Sequence, residues 1–140
     1  MLGVDSADTV SAAGGLVCDS VRAGLRVEVY LETLDDGRAL QILGVEAGLL
    51  PEAFDVVPEP DDAIYVAAAL HERHRGVRRL VSEAARRRVA VATWGTGSGT
   101  DTEHRLSAAA QAFKFHAIKA SGAAMECAPV ESFVSRAKRS

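Results

Sequence analysis

The chain has 140 residues and a mass of 14.7 kDa, with 48% hydrophobic and 25% charged residues. These values are typical of one folded domain and exclude a disordered chain. The longest strongly apolar run without a charge spans residues 63–70, which is far shorter than the ~20 residues of a membrane-spanning helix. Two cysteines without motif spacing predict reduced thiols. We therefore expect a cytoplasmic protein without a membrane anchor.

Opposite charges divide the sequence into two halves. Residues 1–72 contain 14 acids and 3 bases, whereas residues 73–140 contain 13 bases and 5 acids. Two oppositely charged surfaces of a soluble domain explain this division. Alternatively, one face attracts an anion, or the two halves complement each other across a dimer.

The first half of the chain predicts helices and strands in alternation. Apolar residues at spacings of three and four predict a helix that ends near Gly24: Val10, Ala13, Val17 and Val21. Residues 26–32 are rich in β-branched and aromatic side chains, which predicts a strand. A short helix over 37–43 and a short strand over 45–50 follow.

The second half continues the same alternation. Prolines and five acids make residues 51–62 an irregular surface connection. The apolar runs 63–70 and 89–94 predict strands buried on both faces. Between them, residues 74–88 show the period of an amphipathic helix, and a last long helix is predicted over 102–121.

Strands that alternate with helices indicate parallel pairing, because a parallel crossover needs a connection of helical length. The sequence therefore predicts a small three-layer α/β sandwich, Rossmann-like or flavodoxin-like, with a mostly parallel sheet of three to five strands. Residues 1–122 form the predicted single domain. Residues 123–140 are expected to be a C-terminal tail that packs on the domain or is partly disordered.

A glycine-rich loop follows the second buried strand and is the best candidate for ligand binding: Gly95, Thr96, Gly97, Ser98, Gly99 and Thr100. A loop between a strand and a helix places free backbone N–H groups and a positive helix end at one point, which suits phosphate. Alternatively, Thr100 and Glu103 form a capping box that satisfies the helix N-terminus internally. In that case the loop is a capping turn.

Two histidines stand at the end of the first buried strand. On a helix, His71 and His74 would face the same side and could share a proton or a metal. No third ligand is evident, so surface histidines are the favoured interpretation and no metal site is expected. In a catalytic site, His71 would act as general base and Ser98 or Thr96 as the hydroxyl it activates.

An acidic pair follows the first predicted strand. Asp35 and Asp36 could hold a divalent cation or accept hydrogen bonds from ribose hydroxyls at the strand end. An acidic cap for the helix that begins at Gly37 explains the same pair. Asp36 is therefore a candidate ligand-binding residue, with this capping role as the alternative.

Seven arginines lie between Arg73 and Arg88. No aromatic residue is interleaved with them to stack on bases, and the sequence pI is about 5.8. Nucleic-acid binding is therefore not expected.

The last predicted helix is apolar on two sides. One stripe is expected to face the core: Leu106, Ala109, Ala110, Phe113 and Ala117. The second stripe contains Ala108, Ala112, Phe115 and Ile118, and a helix apolar on two sides must cover something with each. Either the tail (Val130, Phe133, Val134) or another subunit covers Ala112, Phe115 and Ile118.

Two functions of different class remain open. The sequence favours a non-catalytic α/β binding or interaction module that self-associates through its last helix into a homo-oligomer. The alternative is a small enzyme or sensor that binds a phosphorylated metabolite or nucleotide, a small anionic ligand, at residues 95–101. No complete catalytic constellation can be assembled, and no cofactor is expected.

Overall fold

The computed structural model describes residues 1–96, 99–122 and 127–136. In this part the strands are β1 (Leu2–Gly3), β2 (Val29–Leu31), β3 (Ala47–Leu49), β4 (Ala63–Ala67), β5 (Ala90–Trp94), β6 (Thr102–Arg105) and β7 (Val130–Ser135). The helices are α1 (Ser6–Arg22), α2 (Arg38–Ile42), α3 (Ala68–Arg73), α4 (Arg75–Arg86) and α5 (Ala108–Ser121). The described helices include none that is both long and apolar enough to cross a membrane.

The strands form one seven-stranded sheet in the order β3-β2-β1-β4-β5-β7-β6. Strands β1 to β5 pair with one another in parallel, whereas β7 is antiparallel to both β5 and β6. The fold is therefore mixed α/β with a mostly parallel sheet, which confirms the predicted class. The predicted count of three to five strands is wrong.

Short or charged strands account for the higher count. Strand β1 has two residues, too few for a periodic pattern. Strand β6, with the sequence Thr-Glu-His-Arg, was expected to open the last helix, but it pairs along its whole length with β7. Residues 130–135, expected in a C-terminal tail, thus lie inside the sheet.

The last helix begins later than predicted because Ser107 is its N-cap. The Ser107 hydroxyl accepts a hydrogen bond from the Ala110 N–H at 3.0 Å. The proposed capping box of Thr100 and Glu103 is therefore wrong, since Glu103 lies in a strand. The predicted strand over 63–70 also ends early, at Ala67, because α3 begins at Ala68.

Helices cover both faces of the sheet. The chain moves from β1 through α1 and α2 towards one edge, and from β4 through α4 towards the other. Because parallel crossovers are right-handed, the two directions place α4 on the opposite face from α1 and α2. Helix α5 packs on α1 and α2. Phe54, in the connection before β4, joins the core on the α4 face and contacts Tyr30 edge to face.

A buried ion pair joins α1, α5 and β7. The Lys114 ammonium lies 2.8 Å from a carboxylate oxygen of Glu131, and both side chains are almost fully buried. Lys114 also donates to the Ser11 carbonyl, while Glu131 accepts from the backbone N–H groups of Gly15 and Leu16. Each charged group therefore has several partners, as buried charges require.

Candidate binding site at the carboxyl edge of the sheet

The strand order reverses between β1 and β4, since β1 leads to β2 and β3 on one side and β4 leads to β5 on the other. In open α/β sheets, ligands bind outside the carboxyl ends of the strands at such a reversal. We call the ends of β1, β2, β4 and β5, with the residues that follow them, the carboxyl edge. The candidate residues from the sequence analysis lie mainly here.

The N-terminus of α1 lies at the centre of the carboxyl edge. Asp5 caps the helix by accepting from the Asp8 N–H at 2.8 Å. The buried Ser6 hydroxyl donates to an Asp35 oxygen at 3.0 Å, and the Trp94 indole N–H donates to Asp8 at 3.1 Å. These bonds connect the start of α1 to the end of β5 and to the loop after β2.

An ion pair connects the end of β2 with α3. Arg73 forms two hydrogen bonds to the carboxylate of Glu32, one of them from Nε to Oε2 at 3.1 Å. These hydrogen bonds hold the pKa of Glu32 below its usual value and outweigh the opposing effect of burial. Glu32 is therefore a carboxylate at neutral pH.

The two candidate histidines have separate partners. Arg136, directly after β7, donates to Nε2 of His71 at 3.1 Å. Burial and then the charges of Arg136 and Arg78 lower the pKa of His71, which keeps its ring neutral at pH 7. His74 instead caps α4, because its Nδ1 accepts from the Val77 N–H at 3.1 Å.

The structure therefore does not combine His71 and His74 into one proton-transfer or metal site. Within residues 1–96, 99–122 and 127–136, no group of three or more His, Cys, Asp or Glu side chains is arranged to hold a metal ion. Of the two expected partners of His71, Ser98 lies outside the described residues. Their pairing stays a prediction.

The glycine loop follows β5 at the carboxyl edge but does not lead into a helix. Gly95 and Gly99 have positive φ angles of 87° and 75°, as a tight turn requires. The chain then enters β6, and Asp101 accepts from the Ser135 N–H at 2.8 Å. The helix end that would favour phosphate is thus missing at this loop, while Gly97 and Ser98 lie outside the described part.

The acidic pair after β2 stabilises its own loop. Asp35 accepts from the Gly37 N–H at 2.8 Å, and Asp36 accepts from the Arg38 N–H at 3.1 Å. Both aspartates border a cavity of about 190 Å³ beside β2 and β3. Its other lining residues are Leu31, Leu34, Gly37, Gln41, Glu46 and Ala47.

The predicted contact surface of the last helix is divided by the structure. Phe115 is 49% exposed and Ala112 is also exposed, whereas Ile118 is 4% exposed and packs in the core. Ile118 is therefore excluded from a surface contact. Phe113, expected to face the core, is 40% exposed. The buried side of α5 therefore keeps Ala110 and Ala117 of the predicted stripe, and it adds Lys114 and Ile118 in place of Phe113.

Sequence reasoning missed most of the contacts that organise the carboxyl edge. The bonds of Ser6, Asp8, Glu32, Arg73 and Arg136 join residues far apart in the chain. One local signal was available, since an Asp directly before an apolar-periodic segment is typical of a helix N-cap. That signal indicates Asp5.

Comparison with known proteins shows the fold of the chain. No protein-family model and no curated protein matches it in sequence. A deacetylase–bog complex in the biosynthesis pathway of teicoplanin is 16% identical, with a TM-score of 0.54 over 84% of this chain and 82% of that chain. A deacetylase–teicoplanin complex of the same pathway is 11% identical, with a TM-score of 0.55 over 97% and 98%. The chain is similar to these two deacetylases in its α/β fold.

Proposed function

We propose that the chain is an α/β binding module that takes a small polar molecule at the carboxyl edge of its sheet. The arrangement is Rossmann-like rather than flavodoxin-like, because its first five strands follow the order 3-2-1-4-5. One observation carries the proposal: hydrogen bonds bring side chains from α1, the end of β2 and the end of β5 together where the strand order reverses.

The charges at this edge favour a ligand that donates hydrogen bonds. Acids outnumber arginines there: Asp5, Asp8, Glu32, Asp35 and Asp36 against Arg73 and Arg136. Carboxylates only accept hydrogen bonds, so they suit hydroxyl and ammonium groups better than phosphate. A polyol or an amine is therefore the preferred ligand class.

The fold neighbours suggest which compounds to test. Both are described as deacetylases, and one is described in complex with teicoplanin. N-acetylated compounds and the corresponding free amines therefore belong in the ligand panel, and released acetate would reveal a deacetylase. The phosphate alternative at residues 95–101 is tested by including inorganic phosphate and nucleotides.

A ligand at the carboxyl edge is expected to raise the melting temperature. At 100 times its Kd, a ligand adds about 2.7 kcal/mol, or about 5–10 °C for a chain of this size. Asp8→Asn and Asp36→Asn should reduce this shift by weakening the contacts to hydroxyls or amines. Differential scanning fluorimetry with polyols, amines, N-acetylated compounds and phosphates measures it.

The control is Glu28→Gln, which removes an exposed carboxylate that precedes β2 and so lies at the opposite edge. It should leave the shift unchanged. The proposal would be contradicted if no compound of the panel raised the melting temperature. It would also be contradicted if Asp8→Asn and Asp36→Asn, like Glu28→Gln, left the rise unchanged. A shift with phosphate that Gly97→Val abolishes would instead favour the glycine loop.

A second candidate function, self-association through α5, is favoured by its exposed aromatic residues. Phe113 and Phe115 are 40% and 49% exposed on a helix without acidic residues. The two rings are two residues apart and point to different sides of the helix. Phe115 and the exposed Ala112, three residues before it, form an apolar patch that contact with another apolar surface would stabilise. Phe115→Glu is therefore expected to dissociate a dimer without unfolding it, as checked by light scattering and circular dichroism. If the wild-type chain is monomeric at high concentration, this candidate function is wrong.

A further inference from the structure

The connection between β3 and β4 carries an unpaired negative charge. We call residues 52–62 the acidic segment; its carboxylates are Glu52, Asp55, Glu59, Asp61 and Asp62, and all five residues are exposed. None of them belongs to an ion pair among the described residues. Val56 and Val57, in the middle of the segment, are 65% and 50% exposed. The segment thus combines apolar and acidic surface.

The outer side of α4 carries the opposite charge. Arg75, Arg78 and Arg79 are exposed, lie on one side of the helix by their spacing, and pair with no carboxylate in the described chain. Arg78 donates to the backbone carbonyl of Glu72 at 2.8 Å, which leaves its charge uncompensated. We call these three residues the basic face. Further along α4, Glu83 already pairs with Arg86 and Arg87.

The acidic segment and the basic face are neighbours on the same side of the sheet. A Cβ built on Gly76 of α4 would lie 2.1 Å from the Glu52 carbonyl oxygen, so the segment begins beside the start of the helix. Phe54 packs into the core cluster that also contains Val77 of α4. Although adjacent, the two surfaces form no ion pair with each other.

From this arrangement we propose that the acidic segment of one copy docks on the basic face of a second copy, in a two-fold symmetric dimer. A two-fold contact uses the same surface on both partners, so complementary patches must lie side by side on that surface. The acidic segment and the basic face meet this condition. The contact forms twice, and Val56 and Val57 can cover the aliphatic stems of the facing arginines.

This dimer is independent of ligand binding at the carboxyl edge and uses the opposite face of the sheet from α5. Its free energy comes from charge complementarity around two exposed valines. Association should therefore weaken as salt screens the charges.

Charge reversal tests the pairing directly. One variant, Arg75→Glu/Arg79→Glu, makes the basic face acidic, and a second, Asp55→Arg/Asp61→Arg, makes the acidic segment basic. Each variant alone places like charges opposite each other twice, so its self-association should weaken by about a hundredfold. Mixed together, the two variants should restore a heterodimer, because both contacts then join opposite charges. Sedimentation equilibrium at low and high salt measures the association of each variant and of their mixture.

The matched control for Arg75→Glu/Arg79→Glu is Arg26→Glu/Arg105→Glu. It changes the net charge by the same amount at exposed sites away from the basic face. It should associate like the wild type, and circular dichroism should show every variant folded. Three outcomes overturn the proposal: the wild type is monomeric at low salt, either charge-reversal variant still self-associates, or the two charge-reversal variants form no heterodimer when mixed. If Phe115→Glu alone breaks the dimer, the α5 candidate stands and this inference fails. If nucleic acid or another polyanion binds the basic face of a monomeric wild type, the inference fails as well.

Discussion

Lys114→Met is expected to lower the free energy of unfolding by about 3–5 kcal/mol, because it leaves the Glu131 carboxylate buried without its counter-ion. The two residues are 2% and 3% exposed, and Nζ lies 2.8 Å from Oε2. The Ser11 carbonyl also loses its lysine donor. Methionine keeps an unbranched stem of similar size, so the loss reports mainly the charge. Urea unfolding followed by circular dichroism measures it.

The same substitution at a lysine five residues further along α5 is the control. Lys119 is exposed, and its ammonium lies 4.7 Å from the centre of the Phe115 ring. Lys119→Met should therefore cost no more than about 1 kcal/mol, the value of an exposed cation–π contact. Equal effects at the two lysines would show that the pair with Glu131 does not form. A double-mutant cycle with Glu131→Gln then isolates the coupling between the two charges.

Apart from β1, the sequence predicted the strands of the parallel part of this fold because they follow local rules. Helix α1 ends where Gly24 adopts a positive φ of 85°, and α2 is followed by Gly44 with a φ of 97°. The buried strands β4 and β5 are apolar runs bounded by polar residues. Each of these signals lies within a few residues of the element that it predicts.

The antiparallel strands β6 and β7 were not predicted, because long-range pairing overrides the local sequence pattern. Strand β6 consists of polar residues that also fit the first turn of a helix. Its conformation is decided by β7, about 25 residues later, which pairs with it from Thr102 opposite Phe133 to Arg105 opposite Val130. Phe133 is 1% exposed and contacts Tyr65 edge to face, so β7 also belongs to the core.

The inner face of α5 could not be predicted for a related reason. Hydrophobic periodicity assigns Lys114 to solvent, yet it is buried because Glu131 lies opposite it and the Ser11 carbonyl lies within hydrogen-bond distance. Turning Lys114 inward brings Ile118 into the core and leaves Phe113 at the surface. A pattern based on apolar residues alone cannot register a buried ion pair.

The carboxyl edge can be placed once the sheet is known to be parallel, but its contacts cannot. Position follows from parallel topology, which the alternation of elements indicates. The pairs Glu32–Arg73 and Asp8–Trp94 join residues 41 and 86 positions apart. No local spacing encodes such pairs. The segment after the glycine loop is β6 rather than the expected helix, and phosphate binding at that loop stays a prediction.

Gly15→Ala is expected to destabilise the chain by about 1–3 kcal/mol, although alanine is the better helix former by about 1 kcal/mol. Gly15 lies within α1, where an added Cβ would come within 2.1 Å of Leu106 Cγ. Leu106 is 4% exposed and packs in the core, so it cannot move aside without disturbing its neighbours. The backbone N–H of Gly15 also donates to Glu131 at 2.7 Å. A shift of α1 away from Leu106 would therefore strain that bond.

The adjacent glycine provides the matched control. A Cβ at Gly14 would lie 3.3 Å from Leu43 Cδ1 and from Val10 Cγ1, a tight contact that small side-chain shifts can relieve. Gly14→Ala gains the same helix propensity, so its effect should stay within about 1 kcal/mol of zero. Urea unfolding of both variants gives the comparison. If Gly15→Ala is the more stable of the two, the close approach of α1 to Leu106 is wrong.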